Sequence, residues 1–158
     1  MDKHFTLSRN QMAEICIAAN LDKIKTLVRT HVTEHNLRSL ILLGGYGKGE
    51  GGIIQTESGL APHNNFDLML VTQNMNLLSR RKLEKSLSKS LNALGERLSV
   101  GIDISVMSDK QLQNMPTRVI WYDMRFGHRT IDGDGKFIPS IDHRVKDIPD
   151  WDVRNLMV

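Results

Sequence analysis

Leu40-Ile41-Leu42-Leu43-Gly44-Gly45-Tyr46-Gly47-Lys48-Gly49-Glu50-Gly51-Gly52, followed at a distance by Asn65-Phe66-Asp67-Leu68-Met69-Leu70-Val71, is the stretch that decides how this chain reads. An apolar run, Leu40 to Leu43, empties into a turn in which five of the next eight residues are glycine. Without side chains in the way, a backbone comes close to a phosphate and its amide N–H groups are free to point at the anion. The second apolar run opens with polar residues on either side of Phe66. On a strand, that alternation projects Asn65 and Asp67 from one face. A phosphate cradle followed by an acidic strand points to metal-assisted chemistry on a nucleotide.

Working outward, Ser8 and Gln11 have the spacing of a capping box. A helical pattern then runs through Met12, Ile15, Ala19, Ile24, Leu27, Val28 and Val32, with a break expected near Asn20 and a stop at Asn36. Leu37 to Leu43 reads as the first strand and Phe66 to Val71 as the second. Between them, Gly44 to Asn64 is rich in Gly, with one Ser and one Pro, and too long for a hairpin turn, so it reads as a mobile or nucleotide-covering loop. Leu77 to Leu98 carries leucines at helical spacing. Val100 to Met107 reads as a third strand with Asp103 and Ser105 on one face. Asp109 is placed to cap a short helix ending before Pro116. Trp121 to Gly127 reads as a helix or an irregular packing segment, Gly133-Asp134-Gly135 as a turn, and Pro149 as the first turn of a final helix. Strand, loop, strand, helix, strand makes an α/β fold with a mixed sheet flanked by helices.

This pairing of motifs resembles the DNA polymerase beta-type nucleotidyltransferase superfamily, in which an apolar strand leads into Gly-Gly or Gly-Ser and an Asp-x-Asp strand follows. Gly44-Gly45-Tyr46-Gly47-Lys48-Gly49-Glu50 is similar to the signature of the minimal prokaryotic-type members. The resemblance covers Leu37 to Val106 well and the stretch from Trp121 onward more loosely. It implies phosphate binding at Gly44 and Gly45, and places Lys48 where an Arg is usual. It implies that Asp67 and Asp103 are metal carboxylates, with Asp103 the candidate to deprotonate an acceptor hydroxyl. The cofactor implied is Mg²⁺ or Mn²⁺. The substrate implied is a nucleoside triphosphate such as ATP, whose monophosphate passes to a hydroxyl of a protein, small-molecule or nucleic-acid acceptor.

Asn65 departs from the pattern, standing where the first carboxylate is expected. An amide oxygen can ligate a cation but brings no charge, and holding two hard cations on a triphosphate takes several negative charges. The resemblance therefore leaves two readings open. One is an enzyme, slow or using one metal. The other is a nucleotide-binding or regulatory module, antitoxin-like in partnering a small helical protein. Because relatives usually carry a helical domain after this core, and residues 1–158 end on the apolar Leu156-Met157-Val158, the expectation is one nucleotidyltransferase-like domain. It is read either as compact or as the N-terminal part of a longer protein.

Composition frames these readings. The chain has 158 residues, 40% hydrophobic and 25% charged, which suits one domain with a real core. The single cysteine, Cys16, leaves no internal disulfide and fits a reducing compartment. With no apolar run of membrane-spanning length and a polar start at Met1-Asp2-Lys3-His4, the expectation is a cytoplasmic protein without a membrane partner. The net charge of +3 is a mild basic bias. Arg80, Arg81, Lys82, Lys85 and Lys89 read more simply as a solvated helix face than as a nucleic-acid patch. His31-Val32-Thr33-Glu34-His35 spells a zinc-protease pattern, but a third ligand segment is missing from the sequence. His128 and His143, each beside an arginine, read as surface or packing residues. Glu50, in the glycine loop, reads as solvated.

Overall fold

The computed structural model describes residues 4–57, 59–142 and 144–155. Met1-Asp2-Lys3, His143 and the apolar ending Leu156-Met157-Val158 lie outside them. Helix α1 spans Gln11–His31. Its cap is Asn10, not the expected Ser8: Asn10 Oδ1 accepts from the N–H groups of Met12 at 2.9 Å and Ala13 at 3.2 Å. The helix does not break near Asn20, because Asn20 falls on the buried face with Ala13, Ile17, Leu21, Ile24 and Val28. Met12 and Ile15, expected in the apolar stripe, are exposed.

Strand β1 (Leu37–Leu42) leads into a short helix, α2 (Gly44–Lys48), where the sequence read an open turn. The stretch read as a long loop then forms a hairpin of β2 (Ile53–Thr56) and β3 (Gly59–Pro62), antiparallel and separate from the main sheet. Strand β4 (Phe66–Thr72), helix α3 (Leu77–Leu98) and strand β5 (Ile102–Ser108) follow. Parallel strands need a long crossover, and α3 supplies it between β4 and β5. Asn76 caps α3 by accepting from Ser79 N–H at 2.9 Å. Helix α4 (Asp109–Asn114) is capped by Ser108 and not by Asp109, which occupies the first turn instead. Helix α5 (Val119–Gly127) confirms the helical alternative for that segment. Strand β6 (Arg129–Gly133), not anticipated from sequence, pairs with the free edge of β1. Helices α6 (Phe137–Ser140) and α7 (Asp150–Arg154) complete the described residues, with Pro149 as the cap of α7.

The main sheet runs β5-β4-β1-β6, with β1 antiparallel to both neighbours and β4 parallel to β5. Alternation sorts its side chains onto two faces. Leu40, Leu42, Phe66, Leu68, Leu70, Ile102 and Val106 pack against the buried faces of α1 and α3. On the other face Ile41, Met69 and Val71 pack with Leu112, Met124, Phe137 and Ile138, from α4, α5 and α6. Covered on both sides, β1 and β4 carry near-continuous apolar runs, as buried strands do. The result is the expected α/β fold, a mixed sheet flanked by helices. No helix among the described residues is long and apolar enough to cross a membrane.

Candidate active site

Three chain segments meet where β1 ends and where β4 and β5 begin. By alternation, Asp67 shares the face of Met69, and Asp103 that of Ser105, so both carboxylates project from the second face of the sheet. In the parallel register Asp67 sits directly opposite Asp103. Both are exposed. The ladder extends one step past β1, with Leu43 N–H donating to the Asp67 carbonyl at 2.8 Å. That bond draws the glycine turn against the acidic strand.

Gly44 makes the approach possible. Its φ is +62°, in the left-handed region, and a Cβ there would overlap Asp67 Oδ2. Gly45 is less constrained, since a Cβ would find its nearest neighbour at 3.6 Å. Its carbonyl accepts from Glu50 N–H at 2.7 Å and from Gly49 N–H, rounding off α2. The first-turn N–H groups of a helix have no intrahelical acceptor, so the glycine-rich start of α2 carries donors beside Asp67. Tyr46 anchors the turn from below. Its ring packs on Phe66 with centroids 4.9 Å apart, and its hydroxyl donates to Gly52 O at 2.6 Å. Burial pushes its phenol pKa up.

Asn65 is placed beside Asp103: its Nδ2 donates to Asp103 Oδ2 at 3.1 Å. The amide lies over Gly101, where a Cβ would overlap it. Asn65, Asp67 and Asp103 thus meet at one end of the sheet, but Asn65 is neutral and hydrogen-bonded to Asp103.

Two cavities adjoin this cluster, and Leu43 and Asp67 line both. One, of about 310 Å³, is bounded by Gly44, Lys48, Ile120, Met124 and Gly127. The other, of about 390 Å³, reaches along β5 past Asp103 and Ser105 to Ser88 and Asn92 of α3. Lys48 therefore shares a cavity with Gly44 and Asp67, its aliphatic chain lying over Gly127. Desolvation, and secondarily the charge of Asp103, raise the Asp67 pKa. Both act against the carboxylate, and a divalent cation held between the two aspartates would relieve both. Neighbouring strands lie about 4.8 Å apart, a spacing that one oxygen-ligated cation can bridge. The donor set fits one cation. Among the described residues no group of three or more His, Cys, Asp and Glu is arranged to hold a metal.

Sequence reasoning missed several lining residues. Gly47 and Gly127 let α2 sit on the end of α5: a Cβ on Gly47 would stand 2.6 Å from Leu42 O and 2.7 Å from Gly127 O. Ser88 and Asn92, four apart on α3 and each following a buried leucine, carried the signal of a polar stripe beside the core face. The other motifs resolve without chemistry. His31 is the last residue of α1, so His31 and His35 do not share a helix; His31 Nδ1 meets Ser86 Oγ at 3.2 Å and His35 Nε2 meets Asn74 Nδ2 at 3.3 Å. His128 is buried, its Nδ1 facing Met124 O at 2.8 Å. Arg81, Lys82, Lys85 and Lys89 are exposed, a solvated face, while Arg80 donates to Gln111 Oε1. Glu50 is exposed as well.

No family model and no curated protein matches this sequence. Solved structures similar to it include a candidate nucleotidyltransferase from Sulfolobus solfataricus, at 12% identity over 79% of this chain and 87% of that one, with a TM-score of 0.44. They also include spectinomycin adenyltransferase from Enterococcus faecialis, solved with ATP and spectinomycin. That similarity is 17% in identity over 87% of this chain, with a TM-score of 0.53. The chain spans 62% of the length of the adenyltransferase. In its mixed sheet and flanking helices, this chain has the fold of a nucleotidyltransferase core.

Proposed function

We propose that this chain binds a nucleoside triphosphate in the cavity between α2 and Asp67 and transfers its nucleoside monophosphate to an acceptor hydroxyl. The observation that carries the reading is the contact of Gly44 with the Asp67 carboxylate, with Asp103 as the register partner of that aspartate. The glycine amides of residues 44–49 and the Lys48 ammonium would hold the phosphates. Asp67 and Asp103, with Asn65 as a neutral donor, would hold Mg²⁺ or Mn²⁺. When bound, the cation would neutralise charge on the phosphate oxygens. Asp103 would accept the proton of the acceptor hydroxyl, whose oxygen bonds to the alpha phosphorus as the bond to pyrophosphate breaks. The adenyltransferase of like fold, solved with ATP and spectinomycin, makes ATP and a small-molecule acceptor the first pair to try. A protein acceptor is the next.

A second reading has its own observation. Asn65 donates to Asp103 at 3.1 Å and gives the site no third negative charge, which favours a module that binds nucleotide without turnover. One pair of variants tests both readings. Asp67→Ala is expected to abolish metal-dependent triphosphate binding, and unchanged affinity would overturn the assignment. Asn65→Asp is expected to raise transfer from a triphosphate labelled at the alpha phosphorus if Asn65 is the block. Unchanged transfer with nucleotide still bound would favour the binding module.

A further inference from the structure

Beyond the contacts of Gly52 with Tyr46 and Asn64, the far arm of the cradle, Gly49-Glu50-Gly51-Gly52, has little of its own to hold it in one conformation. Glycine loses more backbone freedom on ordering than any other residue, so the order must be imposed from outside. The structure shows where it comes from. Residues 4–6 run beside the far arm of the segment: Gly51 N–H donates to Phe5 O at 3.0 Å, and Thr6 and Gly51 form a parallel bridge. The approach is close enough that a Cβ on Gly49 would stand 2.6 Å from His4 O, and one on Gly51 2.8 Å from Phe5 O.

Two charged side chains, from opposite ends of the sequence, grip this strap. Glu14 of α1 accepts from Phe5 N–H at 2.7 Å, from Thr6 N–H at 2.9 Å and from Thr6 Oγ1 at 2.6 Å. Desolvation pushes the Glu14 carboxyl up, but the three hydrogen bonds outweigh it and hold the pKa below the ordinary value. Arg129 of β6 donates from Nη2 to His4 O at 2.7 Å and lays its guanidinium over the Phe5 ring, 3.9 Å from the centroid. Neither residue lines the two cavities at Asp67 or enters the chemistry above.

We propose that Glu14 and Arg129 are positioning residues: through residues 4–6 they order the Gly49–Gly52 arm of the cradle before ligand arrives, and so set the affinity for the triphosphate. This rests on the reading of the glycine segment as the phosphate site. Preorganised donors bind an anion more tightly because the ordering cost is already met. Glu14→Gln replaces two acceptor oxygens by one and sets an amide N–H₂ against backbone donors. Arg129→Lys keeps a donor for His4 O and gives up the planar contact with Phe5.

The test compares wild type with both variants by amide hydrogen exchange at Gly51, and by calorimetric titration with the best-bound of ATP, GTP, CTP and UTP in Mg²⁺ and with the matching nucleoside. Glu14→Gln is expected to speed exchange at Gly51 and weaken triphosphate binding by about tenfold, the scale of a charge-assisted hydrogen bond. Nucleoside affinity should hold, and Arg129→Lys should show a smaller loss in the same direction. Unchanged exchange in both variants, unchanged triphosphate affinity, or equal losses for triphosphate and nucleoside would each overturn the inference. A wild type that binds none of the four triphosphates would overturn the functional reading first and this inference with it. The two failures are thus read on different proteins.

Discussion

A methyl group on Gly44 has nowhere to go. It would meet Asp67 Oδ2, and the φ of +62° is one that an L side chain reaches only at a cost of about 1–2 kcal/mol. Gly44→Ala is therefore expected to destabilise the fold by at least that much in denaturant unfolding, and to displace the carboxylate on which the proposed metal-dependent binding depends. Equal stability would mean that Asp67 is free to move aside. The same aspartate gives a second prediction. Because desolvation and then Asp103 raise its folded pKa, ionised Asp67 costs the metal-free protein stability at pH above that value. The cost fades as pH falls through the raised pKa and is gone below the ordinary carboxylate range. Asp67→Asn should thus be more stable than wild type near neutrality, by no more than about 1 kcal/mol since both carboxylates keep water contact. In acid the two proteins should converge. A variant no more stable than wild type at neutral pH would show that the aspartate is not strained there. At this scale the sequence singled out Gly44, Lys48, Asp67 and Asp103, and the structure brings them to one end of the sheet. It was silent about Glu14 and Arg129, whose hydrogen bonds to residues 4–6 depend on where α1 and β6 are laid.

Among the elements, the legible ones were those whose pattern is set by burial. β1, β4 and α3 are apolar runs or leucine stripes, and their bounds emerge from sequence within a residue or so. Strand β6 was not legible because Arg129-Thr130-Ile131-Asp132-Gly133 has one strong apolar residue; pairing with β1 makes it a strand, not its own pattern. The β2–β3 hairpin was hidden because the glycines around it signal a loop, while Ile53 and Ile54 are too few to signal a strand. Tertiary ties replace local propensity in such places. Arg29 of α1 makes a two-point contact with Asp132 of β6, including Nη2 to Oδ1 at 2.7 Å, and this holds the Asp132 carboxyl below the ordinary range. A depressed carboxyl stabilises the fold above the unfolded pKa and loses that contribution as pH falls through its folded value. Asp132→Asn should therefore cost about 1 kcal/mol at neutral pH in urea unfolding, with the difference from wild type vanishing in acid. A difference that persists at all pH values would mean that the amide disturbs the β1–β6 pairing itself.

At the scale of the molecule, the sheet order β5-β4-β1-β6 brings together what the sequence separates. The end of β1 delivers the glycine segment; the starts of β4 and β5 deliver one aspartate each, in register. Helices α1 and α3 pack on one face. Near Asp67 one cavity is bounded by α5, which stops at Gly127, and the other by Ser88 and Asn92 of α3. That open end was legible as an order of elements, because strand, glycine turn, acidic strand, helix and acidic strand admit few arrangements. Its boundaries were not, since Ile120, Met124 and Gly127 come from a segment whose helix only tertiary packing defines. The central claim is that this end of the sheet holds a nucleoside triphosphate with its cation. Calorimetric titration of the wild-type chain with ATP, GTP, CTP and UTP, each with and without Mg²⁺, tests it most directly. Saturable binding of at least one triphosphate that is lost without Mg²⁺ is the predicted result; no binding of any of them in Mg²⁺ would contradict it.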